Sequence, residues 1–261
     1  MFENLENIAS AGSDAQQMEK LSDVELEYIG ECIAPPRPEE LVERIDDLLG
    51  YEPPKAIDSI PEIATMIEPI RDQIPPTYLE APNDVAQIEG ISDVLAETTE
   101  LRPEKWKQLS LEEKVDVLNE LEVKIAAIEH RPPCPIYTKD MGAIEKRGDM
   151  LLGSMGVHVS GLLGESITIN SRLLESDDPV FFKEALDTLI HEGRHSYQTY
   201  NMIDRETHTS QGDLTNWHRN LDEFGYQSPQ QSGFKAYWMQ PIEADARKFA
   251  EDVLTAYERK L

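Results

Sequence analysis

Residues 189–201 read LIHEGRHSYQTYN. Two histidines four residues apart, with a glutamate directly after the first, constrain the chain more than any other feature. On an α-helix, positions i and i+4 lie about 40° apart around the axis, so His191 and His195 can share one metal ion. Glu192 then projects from the flank, where it reaches a water on that metal without being a ligand. The chain holds only six histidines, so the pairing is not a by-product of a histidine-rich composition.

The flanking residues predict the helix that this geometry needs. Asp178 suits an N-cap and Pro179 suits the first helical position. At about 100° per residue, Phe182, Ala185, Leu186, Leu189, Ile190, Gly193 and Tyr197 fall on one apolar arc. Gly193 lies near the middle of the arc, where a missing side chain lets another element pack close. His191 and His195 lie on the other side and are not core histidines.

A catalytic zinc site takes three protein ligands and leaves a fourth position for water. Glu243 in QPIEADARKFA is the preferred third ligand, in the first turn of a closing helix opened by Pro241. It sits on the margin of a stripe made by Ile242, Ala246, Phe249, Ala250 and Val253, so it is half buried and needs a partner. A carboxylate is also favourable at any helix N-terminus. His208, His218 and Asp222 in the intervening segment stay open as rivals.

The rest of the chain divides by charge. Of a net −27, residues 1–100 hold 24 acidic and 5 basic side chains, and residues 101–261 hold 27 and 19. Ten of the seventeen prolines also fall in residues 1–100. SDVELEYIGECIA, with Ser22 and Glu25 at capping-box spacing, and PEELVERIDDLLG read as short helices joined by stiff connectors. Short apolar runs and high charge leave part of this region expected to be disordered. It serves as a scaffold, a docking module for a protein partner, or an inhibitory segment. Residues 101–261 read as an α+β domain. Ser110 and Glu113 open a helix with Val115, Leu118, Leu121, Ile125 and Ile128 at helical spacing. MGVHVSG and ESITIN read as two strands, as in a hairpin. Residues 201–234, rich in Gln, Asn, Ser and Gly, read as loop.

So acidic a chain excludes a nucleic-acid surface, which needs clustered Lys and Arg, and it is repelled by anionic membranes. No apolar run approaches the roughly 20 residues of a membrane span. The opening MFENLENIASAGSD has neither the basic end nor the apolar core of a signal peptide. Cytoplasmic synthesis is expected, with secretion as an effector by another signal as the alternative. Cys32 and Cys134 form no CxxC and read as ordinary reduced thiols, outside any metal site.

SITIN, TLIHEGRHSYQ and PIEADARKFA together resemble a zincin metallopeptidase of the glutamate-liganded branch, the gluzincins. The pairing HExxH…Q with a later PxExxA also resembles compact zincin-like domains of bacterial toxins and effectors. The likeness covers roughly residues 101–261. It implies His191, His195 and Glu243 as ligands of one zinc ion and Glu192 as catalytic base. Arg247 stands where the longer gluzincin motif has an aspartate. The third histidine of metzincins would fall near Asn201 and Arg205, which excludes that branch.

The expected function is zinc-dependent hydrolysis of a peptide or protein substrate. A metal-activated water attacks, Glu192 takes its proton, and a further donor steadies the oxyanion. Tyr237 is the chosen donor, with His218 and Tyr226 as alternatives. His158 reads as a solvent-facing strand residue. The competing readings are an inactive zincin-fold interaction protein with a structural metal site and a non-peptidase zinc hydrolase.

Overall fold

The computed structural model describes residues 82–261 apart from 149, 162–163, 205–207 and 224. The helices expected within 1–81, and the Ser22–Glu25 capping box, lie outside the described residues. The last part of the acidic region forms helix α1 (Pro82–Glu97), which packs on two later helices. A 3-10 turn at Thr99–Leu101 and the single-turn α2 (Pro103–Trp106) lead into α3 (Leu111–Glu129).

The capping box of α3 forms as expected: Ser110 Oγ accepts from the Glu113 N–H, and Glu113 accepts from the Ser110 N–H. Those reciprocal bonds satisfy backbone donors that a helix start leaves open. Leu118, Leu121 and Ile125 from its apolar stripe are buried in the core. The helix closes at His130, whose φ of 57° is left-handed, ahead of Pro132 and Pro133.

Five strands follow: β1 (Ile136–Lys139), β2 (Glu145–Arg147), β3 (Met150–Leu152), β4 (Gly156–Gly161) and β5 (Gly164–Asn170). MGVHVSG and ESITIN form the antiparallel pair β4–β5, with Val157 opposite Thr168. β1 adds to the other side of β5 in parallel, giving the order β1-β5-β4, while β2 and β3 pair separately. β5, with Ile167 and Ile169 fully buried, is the central strand, and β4 is an outer edge.

α4 (Ser171–Glu175) precedes the long α5 (Pro179–Asp204), and the Asp178 carboxylate accepts from the Val180 N–H at 3.0 Å at the start of α5. Ala185, Leu186, Leu189 and Ile190 on its apolar arc are at most 1% exposed. Each such Leu or Ile contributes roughly 2–3 kcal/mol of burial. At Gly193 an added Cβ would lie 2.9 Å from Arg131 Nη2, so its bare backbone admits a buried ion-pair group behind α5. There Arg131 binds Glu122 at 2.5 Å and Glu129 at 2.7 Å.

The loop expected over 201–234 is instead largely helical. α6 (Gln211–His218) runs into a π-helical turn at Arg219–Glu223, followed by α7 (Pro229–Ser232) and α8 (Phe234–Met239). These pieces are too short and polar to show a period of 3.6, yet Ser210 and Ser228 side chains cap two of them. Leu214 and Trp217 then bury α6 against Tyr197, Met202 and Ile242 in a small second core. α9 (Pro241–Glu258) closes the described fold, lying along α5 and α1. The architecture is mixed α+β, and no described helix is long and apolar enough to cross a membrane.

Candidate functional site

α5 and α9 bring three donor side chains together. His191 Nε2 and His195 Nε2 are 3.1 Å apart, and the Glu243 oxygens lie 3.4 and 3.3 Å from them. A tetrahedral ion with ligand bonds of about 2.0–2.1 Å has ligand atoms roughly 3.3–3.4 Å apart. With Oε2 facing His191 and Oε1 facing His195, each spacing is close to that of neighbouring ligand atoms, and the three residues could hold a metal ion. Glu243 Oε2 is buried and accepts no hydrogen bond among the described residues, with Arg247 Nη1 standing off at 3.8 Å, so it is an acceptor that a closer cation would satisfy. Burial opposes the charge on Glu243, but His195 and His191 outweigh it and hold the carboxyl well below its usual range. Burial likewise opposes a charge on His195, and Glu243 outweighs it, raising this imidazole to about 9. The site is built to hold positive charge.

The imidazole of His195 is oriented from behind. Gln198 donates from Nε2 to Ile242 O at 2.9 Å and to Asp245 Oδ2 at 2.7 Å, which turns its Oε1 towards His195. His195 Nδ1, 2.8 Å from that oxygen, must then donate, so Nε2 is the nitrogen turned to the cluster, and a metal bound there would take the place of its proton. Asp245 in turn pairs at 2.9 Å with the fully buried Arg194, whose guanidinium also binds Asp84 of α1 at 3.0 Å and Gln87 at 3.3 Å. Tyr197 and Phe249 stack on it at 4.4 and 4.3 Å. Sequence reasoning missed this chain, because Arg194 falls within HEGRH as an unspecified position and Asp84 lies far upstream.

Glu243 is held at its own height by the polar segment before it. Asn220 Oδ1 accepts from the Ile242 N–H at 3.1 Å, and Asn220 Nδ2 donates to Gln240 Oε1 at 3.0 Å. Gln240 also exchanges hydrogen bonds with the Gln227 backbone. The helix start is thus capped in trans by the π-helical turn, a device with no local sequence signature.

Glu192 accepts at 2.8 Å from the His158 N–H on β4. The strand comes this close to α5 because residue 156 is glycine: an added Cβ would lie 2.4 Å from Thr188 Cγ2 and 3.0 Å from Thr168 O. The Asn170 N–H bonds to Met155 O, so 155, 157 and 159 face β5 and the peptide groups of 156, 158 and 160 face outward. The His158 side chain is not solvent-facing. It is only 7% exposed and its Nε2 lies 3.3 Å from Glu165.

Two phenols converge on the same carboxylate. Tyr226 donates to Glu243 Oε1 at 2.7 Å, and its ring meets that of Tyr237 at 6.3 Å. Burial, then Glu243 and Glu192, raise the Tyr237 hydroxyl well above its usual value, so it stays protonated. Among the rival ligands, His208 is buried between Tyr197 and Asp213, and His218 lies 3.4 Å from Asp222. Of the four open residues, Glu243 is the one grouped with both imidazoles. Comparison with protein-family models, curated proteins and solved structures gave no match.

Proposed function

We propose that this chain is a zinc-dependent metallopeptidase of the zincin type, with the glutamate-liganded set His191, His195 and Glu243. The observation that carries the reading is the convergence of His191 Nε2 and His195 Nε2, 3.1 Å apart, on the two oxygens of Glu243, at 3.4 Å to Oε2 and 3.3 Å to Oε1, beside the Glu192 carboxylate. Two neutral imidazoles and one carboxylate match the donor preference of catalytic zinc. Bound there, zinc supplies a Lewis acid that acidifies water and polarises the scissile carbonyl.

The remaining work falls to the chain itself. Glu192 takes a proton from the attacking water and returns it to the leaving amine. Its hydrogen bond from the His158 N–H fixes one carboxylate oxygen, so the other is presented in a defined direction. The protonated phenol of Tyr237 donates towards the oxygen where negative charge develops, while Tyr226 donates its own hydrogen to Glu243 Oε1. The outward peptide groups of β4 that Glu192 does not occupy align an extended peptide as an added strand, which gives affinity with little dependence on side chains. A peptide or protein is therefore the proposed substrate, and a protein partner for residues 1–100 belongs to the same reading, as does an effector or toxin setting.

The test pairs two substitutions in the full chain. Glu192→Gln should keep one zinc at this site and lower peptide hydrolysis by at least about a hundredfold. Glu243→Ala should lower zinc occupancy, measured by elemental analysis after dialysis. Undiminished cleavage by Glu192→Gln would remove the proposed base, and zinc loss from His218→Ala but not from Glu243→Ala would remove the proposed ligand.

A further inference from the structure

A second donor cluster includes the side chain of His158, the residue whose backbone N–H binds Glu192. Cys134 comes from the α3–β1 connection, His158 from β4 and Glu165 from β5, and their donor atoms all lie within 4.8 Å of one another. Cys134 Sγ is 3.6 Å from Glu165 Oε2, and His158 Nε2 is 3.3 Å from the same oxygen. A tetrahedral zinc with a bond of about 2.3 Å to sulfur and about 2.0–2.2 Å to nitrogen and oxygen requires edges of roughly 3.6 and 3.4 Å. Two of the edges therefore already stand at ligand spacing.

The donors are held by other bonds. The Cys134 N–H donates to Glu122 Oε1 at 2.9 Å, and Ser196 on α5 donates to Glu165 and lies 3.2 Å from Cys134 Sγ. Cys134 is 3% exposed and Ser196 1%, whereas the Glu165 side chain keeps 27% and provides the route by which an ion enters.

We propose that Cys134, His158 and Glu165 bind a second divalent zinc ion, which clamps β4 and β5 to the connection after α3. Binding exchanges the thiol proton for the metal: the S–H bond breaks, one proton leaves to solvent, and a sulfur–metal bond forms. The proton that His158 Nε2 shares with Glu165 moves to Nδ1, so that Nε2 presents a lone pair to the ion. A water completes the fourth position. The proposal concerns binding alone and holds whether or not the first cluster hydrolyses peptides.

Cobalt(II) titration of metal-stripped full-length protein tests it, because a thiolate ligand gives a near-ultraviolet charge-transfer band that imidazole and carboxylate ligands do not. The wild type should take up two ions per chain and develop the band. His191→Ala should bind one ion and keep the band, while Cys134→Ser should bind one ion and lose it. His158→Gln, which retains the thiol, should weaken the ion that produces the band at least tenfold. Saturation of the wild type without a thiolate band would overturn the proposal, and so would a band that survives Cys134→Ser, since Cys32 would then be the ligand.

Discussion

His191, His195 and Glu243 stand on two long helices, whereas Cys134, His158 and Glu165 stand on a connection and two strands. In the first cluster Glu243 Oε2 is buried and accepts no hydrogen bond among the described residues, with His191 Nε2 at 3.4 Å and Arg247 Nη1 at 3.8 Å. In the second, Glu165 Oε2 lies within bonding range of Ser196, Cys134 and His158, so the cluster is satisfied by its own hydrogen bonds. The difference teaches where metal affinity comes from. A metal at the helical cluster would displace the proton of His195 beside the buried Glu243 carboxylate, while at the strand cluster it would displace a thiol proton and the bonds around Glu165. Burial raises that thiol to about 12, so the exchange costs more there. On the proposed reading the helical cluster should fill first.

The largest effect comes from breaking the support of the helical cluster. Arg194→Met leaves Asp84 and Asp245 buried without their cation and should destabilise the fold by about 3–5 kcal/mol. Chemical denaturation reads this directly, and a loss below about 1 kcal/mol would mean that the network does not brace α5.

Next in size is a pH effect on the buried pair behind Gly193. Burial lifts the Glu129 carboxyl to about 7, against the pull of Arg131 and the more distant Arg194 and with the help of Glu122. Its unfolded value is near 4.5, so its contribution is complete below that pH and is lost as pH rises through about 7. The wild type should lose on the order of 3 kcal/mol over this window relative to Glu129→Gln. Parallel stability curves for the two proteins would show that Glu129 is ionised throughout.

The smallest effect discriminates between the clusters. Gln198→Leu removes the acceptor that fixes the His195 tautomer and should weaken the first zinc by about 10–100-fold. The cobalt–thiolate band of the strand cluster should be unchanged. Equal weakening at both would show that the clusters share one support.

What could be read from the chain follows the same division. The two proposed histidine ligands and the proposed base fall within five residues, and the apolar arc of α5 is regular, so both were visible. Glu243 was marked by its place in the first turn of an amphipathic helix. Asn220, Gln227 and Gln240 carried no periodic signal, because their hydrogen bonds join segments distant along the chain, and the helical pieces of 211–239 went unseen with them. Cys134 looked like a plain thiol because its neighbours His158 and Glu165 reach it only through strand pairing.

The ion pair between Arg194 and Asp84 also limits how the molecule can be dissected. A fragment begun at residue 101, where the charge balance of the chain changes, would discard α1 and strand a guanidinium in an apolar socket beside Tyr197 and Phe249. Water would have to flood that socket, and the disturbance would pass through Asp245 and Gln198 to the imidazole of His195. The shortest portion able to preserve the site's geometry therefore starts upstream of Asp84, inside the acidic part of the chain.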